Sequence, residues 1–165
     1  MSEPAASNDP RTAQRLDWAR AALADPQLRL ERASTDAGFR SYWRSVGNAP
    51  SRIVMDSPPD KEDVRPWLAV RDLLDAGGVR VPAVLARDVE AGFLLLEDLG
   101  GPTLAQTLDA GNADAQFDAA IAQLLKLQAI VPPDGMGDFG EALLQRDAGL
   151  FEDWFLRRHL GTELD

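Results

Sequence analysis

Gly92–Gly100 reads GFLLLEDLG. From Phe93 to Glu97 the stretch is a short apolar run without alternation, ending in an acid, the pattern of a buried strand. Glu97-Asp98 interrupts it, and Leu99-Gly100-Gly101-Pro102 then turns the chain away. An interior strand that leads directly into a short acidic connector divides this sequence in two. Strands and helices precede the connector, and only helices follow it.

Upstream of the connector, Val81–Ala86 and Gly92–Leu96 are expected strands joined by a turn around Asp88–Ala91. Before them a helix is expected from about Asp63 to Ala76, with Val64, Trp67, Leu68, Arg71 and Leu74 on its inner stripe and Gly77-Gly78 at its end. Pro66 must fall in its first turn or kink it. Leu28–Ala33, Phe39–Val46 and Arg52–Met55 read as three more strands. Ser34–Gly38 is a turn, and Gly47-Asn48-Ala49-Pro50 is a hairpin loop. Asp9-Pro10 starts a helix that runs to about Ala24, with Leu16, Ala19 and Leu23 on one face and Trp18 beside them. The order is helix, three strands, helix, two strands. The expected class is therefore α+β, a five-stranded antiparallel sheet with a helix packed on it.

Downstream, Thr103–Leu108 is a short helix. Ala113–Ile130 carries Phe117, Ala120, Ile121, Leu124, Leu125 and Gln128 at helical spacing until Val131-Pro132-Pro133 stops it. Met136–Phe139 reads as a loop. Glu141–Gln145 and Leu150–Leu160 are expected helices, the second with Phe151, Trp154 and Phe155 on one face. No later segment covers the apolar faces of these helices, which predicts self-association.

Composition narrows the function. The chain has 165 residues and a net charge of −10, which argues against nucleic acid and anionic membrane as partners. There is no cysteine and a single histidine, His159, so thiolate metal sites, cysteine catalysis and any two-histidine site are excluded from this chain. Met1–Pro10 is polar and small, a flexible tail without the apolar core of a signal peptide. No apolar run is long enough to span a bilayer. A cytoplasmic protein is expected.

The fragments RSYWR (Arg40–Arg44), IVMDSPPDKEDVRPWL (Ile53–Leu68), VPAVLARD (Val81–Asp88), GFLLLEDLG and FEDWFL (Phe151–Leu156) stand in an order that resembles a known family. The succession of elements is similar to the N-lobe of aminoglycoside-phosphotransferase-like small-molecule kinases. The wording resembles the bacterial kinases that phosphorylate N-acetylmuramate and N-acetylglucosamine at the anomeric hydroxyl in peptidoglycan recycling. The resemblance implies a kinase-like N-lobe over residues 11–97, a hinge over 98–102 and a partial helical C-lobe over 103–165. It also implies ATP, Mg²⁺ and an amino-sugar substrate in the complete enzyme.

The resemblance further implies where a nucleotide would lie. The backbone of the hinge residues Glu97 and Leu99 would hold adenine. Ser34–Phe39, with Gly38 and Phe39, would cover the phosphates, although an ordinary hairpin turn fits that segment as well. Arg40, Tyr42 and Arg44 share one strand face by the period of two and form the local basic patch for a triphosphate. Two solvated arginines are the other reading.

Asp56 stands where the general kinase pattern has a lysine. It could hold Mg²⁺, pair with Arg71, or cap the turn into Ser57-Pro58. Such kinases also need a His-x-Asp loop followed by an Asn and a later metal-binding Asp. His159-Leu160-Gly161 does not match, and the family would place that loop beyond Asp165. The chain therefore reads as the N-terminal portion of a kinase. An aminoglycoside- or choline-type phosphotransferase, or a non-catalytic nucleotide-binding or interaction module, are the competing readings.

Overall fold

A computed structural model describes residues 10–34, 38–47, 50–137 and 139–162. Residues 1–9 of the expected tail, and residues 35–37 and 48–49 of two expected turns, lie outside the described residues. The elements run α1 (Pro10–Leu23), β1 (Arg29–Ser34), β2 (Ser41–Val46), β3 (Arg52–Asp56), α2 (Arg65–Ala76), β4 (Val84–Asp88) and β5 (Phe93–Glu97). They continue with α3 (Leu104–Thr107), α4 (Ala113–Gln128), α5 (Glu141–Leu150) and a π-wound segment Phe151–His159. The chain divides into two compact units at Ile130/Val131.

The strands form one antiparallel sheet in the order β1-β2-β3-β5-β4, so the α+β architecture expected from the sequence is observed. β3 and β5 are interior, paired Val54 to Leu95, Met55 to Leu94 and Asp56 to Phe93. That position explains the unbroken apolar run of β5. Alternate residues face opposite ways, and both faces are covered. Met55, Leu94 and Leu96 pack with Val64 and Leu68 at α2. Val54 and Leu95 pack with Ala19 of α1 and with Leu28. The sheet thus lies between two helices, where fully burying a side chain of this size contributes about 1.5–3 kcal/mol.

Gly92 leads into β5 with φ 73°, and a Cβ there would stand 1.9 Å from the Ser57 carbonyl oxygen. The close approach is used: Ser57 N–H donates to Gly92 O at 2.9 Å. Only glycine satisfies both the left-handed backbone and that contact.

Several boundaries move. α2 starts at Arg65, with Pro66 in its first turn, where a missing N–H costs nothing. β4 starts at Val84, because Pro82 cannot donate to a ladder. β2 starts at Ser41 and leaves Phe39 outside the strand. α5 runs to Leu150 and passes without a break into the π-wound segment, where Leu160 N–H donates five residues back to Phe155 O. Phe151, Phe155 and His159 stack there at centroid spacings of 5.2 and 5.6 Å.

The largest correction concerns Asp56. Asp56 follows Val54 in the period of two and so faces α1, on the side of the sheet opposite α2. Arg15 Nη1 donates to Asp56 Oδ2 at 2.9 Å, and Arg11 Nε donates to Oδ1 at 2.9 Å. Arg71 instead bonds Pro82 O and pairs with Asp72 and Asp75. The Asp56–Arg71 pair, the turn cap and the Mg²⁺ role are all replaced by a buried tie between α1 and β3.

Candidate functional site

On the α2 face of the sheet, a cleft of about 290 Å³ lies between the strands and the connector. Ala33, Tyr42, Ile53 and Leu96 line it from the sheet, Trp67 from α2, Pro82 from the segment before β4, and Glu97–Gly100 from the connector. Its volume is just below the usual range for small-molecule sites, about 300–1,000 Å³. The strands deliver this lining because Tyr42, Ile53 and Leu96 are same-face residues of β2, β3 and β5.

The connector leaves β5 with two acids, and each is held. Arg80 donates to Glu97 through both terminal nitrogens, at 2.9 and 2.6 Å, and Ala83 N–H donates to Glu97 Oε2 at 3.2 Å. The Arg80 guanidinium, and after it the Ala83 N–H, lowers the Glu97 carboxyl to about 2. Asp98 accepts from Arg44 Nε at 2.7 Å and Nη2 at 3.1 Å, from Ser51 Oγ at 2.7 Å and from Gly100 N–H at 2.9 Å. Its side chain is 4% exposed. The Arg44 hydrogen bonds, foremost, hold its carboxyl well below the ordinary carboxylate range. Both acidic side chains are therefore consumed by the protein. Among the described residues the Leu99 N–H has no hydrogen-bond partner.

Of the residues singled out in the sequence, Tyr42, Arg44, Glu97 and Leu99 meet at this cleft. Arg40 lies in a separate depression with Lys61 and Trp67, its Nε 3.2 Å from Glu62 Oε1. Phe39 is exposed and Gly38 is open, beside residues 35–37. Trp67, Pro82 and Asp98 also line the cleft, and Ser51 supports it through its hydrogen bond to Asp98; residue spacing marked none of these four side chains for a site. Arg44 and Asp98 are 54 positions apart, so no local spacing could join them.

Among the described residues no three His, Asp or Glu side chains gather where they could hold a metal ion. The two acids at the cleft, Glu97 and Asp98, are each paired with an arginine. The cleft residues do suit a flat heteroaromatic base, which needs apolar walls and unpaired backbone groups at one edge.

Comparison with known proteins places the chain. A model of the phosphotransferase enzyme family matches residues 29–165. The chain belongs to that family. It is 46% identical over 140 residues to an N-acetylmuramate/N-acetylglucosamine kinase of Pseudomonas aeruginosa, covering 85% of this chain and 41% of that protein. It is 43% identical over 136 residues to the protein of that name from Pseudomonas putida, covering 82% and 40%. With the Neisseria meningitidis serogroup B protein of that name it shares 33% over 153 residues, covering 90% and 45%. The chain thus spans about two fifths of the length of the first two relatives. No helix among the described residues is long and apolar enough to cross a membrane.

Proposed function

We propose that this chain supplies the nucleotide-binding lobe and connector of an ATP-dependent kinase that phosphorylates N-acetylmuramate or N-acetylglucosamine at the anomeric hydroxyl. The observation that carries the reading is the cleft against the connector, where the Leu99 N–H is unpaired and apolar side chains form the walls. Adenine would lie against Tyr42, Ile53 and Leu96 and take its polar contacts from the connector backbone. The identity to amino-sugar kinases supports the acceptor.

In this reading residues 11–97 are the N-lobe, 98–102 the hinge and 103–165 the start of a helical C-lobe. ATP supplies the γ-phosphoryl group. The chain's own residues bind and orient the base end of that nucleotide. The catalytic base and the Mg²⁺ ligands of the complete enzyme come from outside the residues described. The half-exposed Phe117, Ile121, Leu124 and Leu125 of α4 would then make the isolated chain self-associate.

The test is transfer of label from γ-labelled ATP to either sugar, beside nucleotide titration of the same sample. The expected result is weak nucleotide binding without transfer. Turnover by the chain alone would contradict this division of roles. A chain indifferent to nucleotide would remove the reading.

A further inference from the structure

The connector carries Gly100 at φ 74° and Gly101 at φ 52°, two successive left-handed glycines. Backbone of this kind is soft, because glycine populates many alternatives at similar energy. One side chain counters that softness. The Asp98 carboxylate takes two hydrogen bonds from β2 through Arg44, one from Ser51 just before β3, and one from the connector's own Gly100 N–H. A carboxylate offers about four acceptor positions, and all are used. The paired Arg–carboxylate fork also fixes orientation, which a single bond does not. Leu99, the next residue, is 56% exposed and its N–H is unpartnered among the described residues.

We infer that Asp98, bracketed by Arg44 and Ser51, is a positioning residue that fixes the connector backbone for recognition of a nucleotide base. The inference rests on the nucleotide-lobe reading above and deepens it. Asp98 does not touch the base. It pins the connector to the strands that line the cleft, so that the Leu99 N–H keeps its place relative to Tyr42 and Ile53. Arg44 then serves the base end of the cleft instead of the phosphates.

The bracket also bears on which base is accepted. Guanine presents a ring N–H and an amino group, both donors, and a free carboxylate at the connector would accept from them. With Asp98 bound to Arg44 and Ser51, and Glu97 bound to Arg80, neither is free. The cleft favours adenine because both acids are occupied. Releasing Asp98 should weaken that preference.

The experiment uses the ¹⁵N-labelled chain and three variants, D98A, S51A and R44M, titrated with ADP and with GDP and followed by amide hydrogen exchange. R44M keeps the Arg44 stem and removes only the fork, so it remains informative if D98A does not fold. Loss of charge-assisted bonds of this kind should raise exchange at Gly100, whose N–H donates to Asp98, about tenfold or more and weaken ADP binding about tenfold. Exchange at Val54 and Leu94 should stay unchanged. S51A should lie between the parent and R44M. The ADP-over-GDP preference should shrink in R44M, which a purely structural contact would not cause. If the parent binds ADP and R44M matches it in exchange, affinity and preference, the role of Asp98 is overturned alone. If the parent shows no response to ADP, the nucleotide reading falls and base positioning falls with it.

Discussion

Arg15 lays its guanidinium 3.7 Å above the Trp43 ring while donating to Asp56 at 2.9 Å. Arg11 repeats the arrangement over Phe93, at 4.1 Å, and reaches the other oxygen of the same carboxylate. Both arginines come from α1 and both rings from the sheet, so an acid in β3 anchors a helix that begins 46 positions earlier. Such a buried tie is costly to break, because the buried Arg15 guanidinium would lose its carboxylate and keep its charge.

Asp56→Ala should therefore lower unfolding stability by about 3–5 kcal/mol. Arg71 shares no partner with Asp56, so the losses in D56A and R71A should add in the double variant to within about 0.5 kcal/mol. Urea denaturation of the four proteins measures this. A double variant no worse than D56A would restore a pair between the two residues.

Acid should act on the connector in a definite window. Glu97 has its folded value lowered from 4.5 to about 2. A depressed carboxylate contributes stability above its unfolded value and loses it as pH falls through the folded one. The difference in stability between the parent and Glu97→Gln should thus shrink between pH values of about 4.5 and about 2. Carboxyl ¹³C titration reads Glu97 directly, and a midpoint at the ordinary value would remove the Arg80 pairing.

The α4 helix carries its apolar residues into solvent, with Ile121 at 51% and Leu125 at 61% exposure. Ile121→Glu together with Leu125→Glu should shift the isolated chain toward monomer in sedimentation velocity. Exposed positions change stability by only about 0.5 kcal/mol each, so the unfolding midpoint should hold. Unchanged association would place the self-contact elsewhere.

The sheet was legible because its signals are local. The unbroken run of β5, the turn residues on either side of it and Pro66 at the start of α2 each act within a few residues. The connector was legible for the same reason. The Asp56 tie was not, since α1 reads as polar at Arg11 and Arg15, and nothing along the chain marks a charge that faces inward. Arg44 was read as a basic patch because its partner, Asp98, becomes a neighbour only once β2, β3 and β5 pair. The expected break between the last two helices disappeared for a different reason. Glu141–Leu150 and Phe151–His159 join with a change in winding, a feature that residue spacing does not distinguish from two helices.

The central claim is that the connector cleft holds a nucleotide base, and amide chemical-shift mapping with ADP tests it most directly. Weak binding is expected, with a Kd on the order of 1 mM, about 4 kcal/mol. The account predicts saturable shifts centred on Leu99, Gly100, Tyr42 and Ile53. Shifts confined to α4 and the Val131–Asp165 unit, or none at saturating ADP, would contradict it.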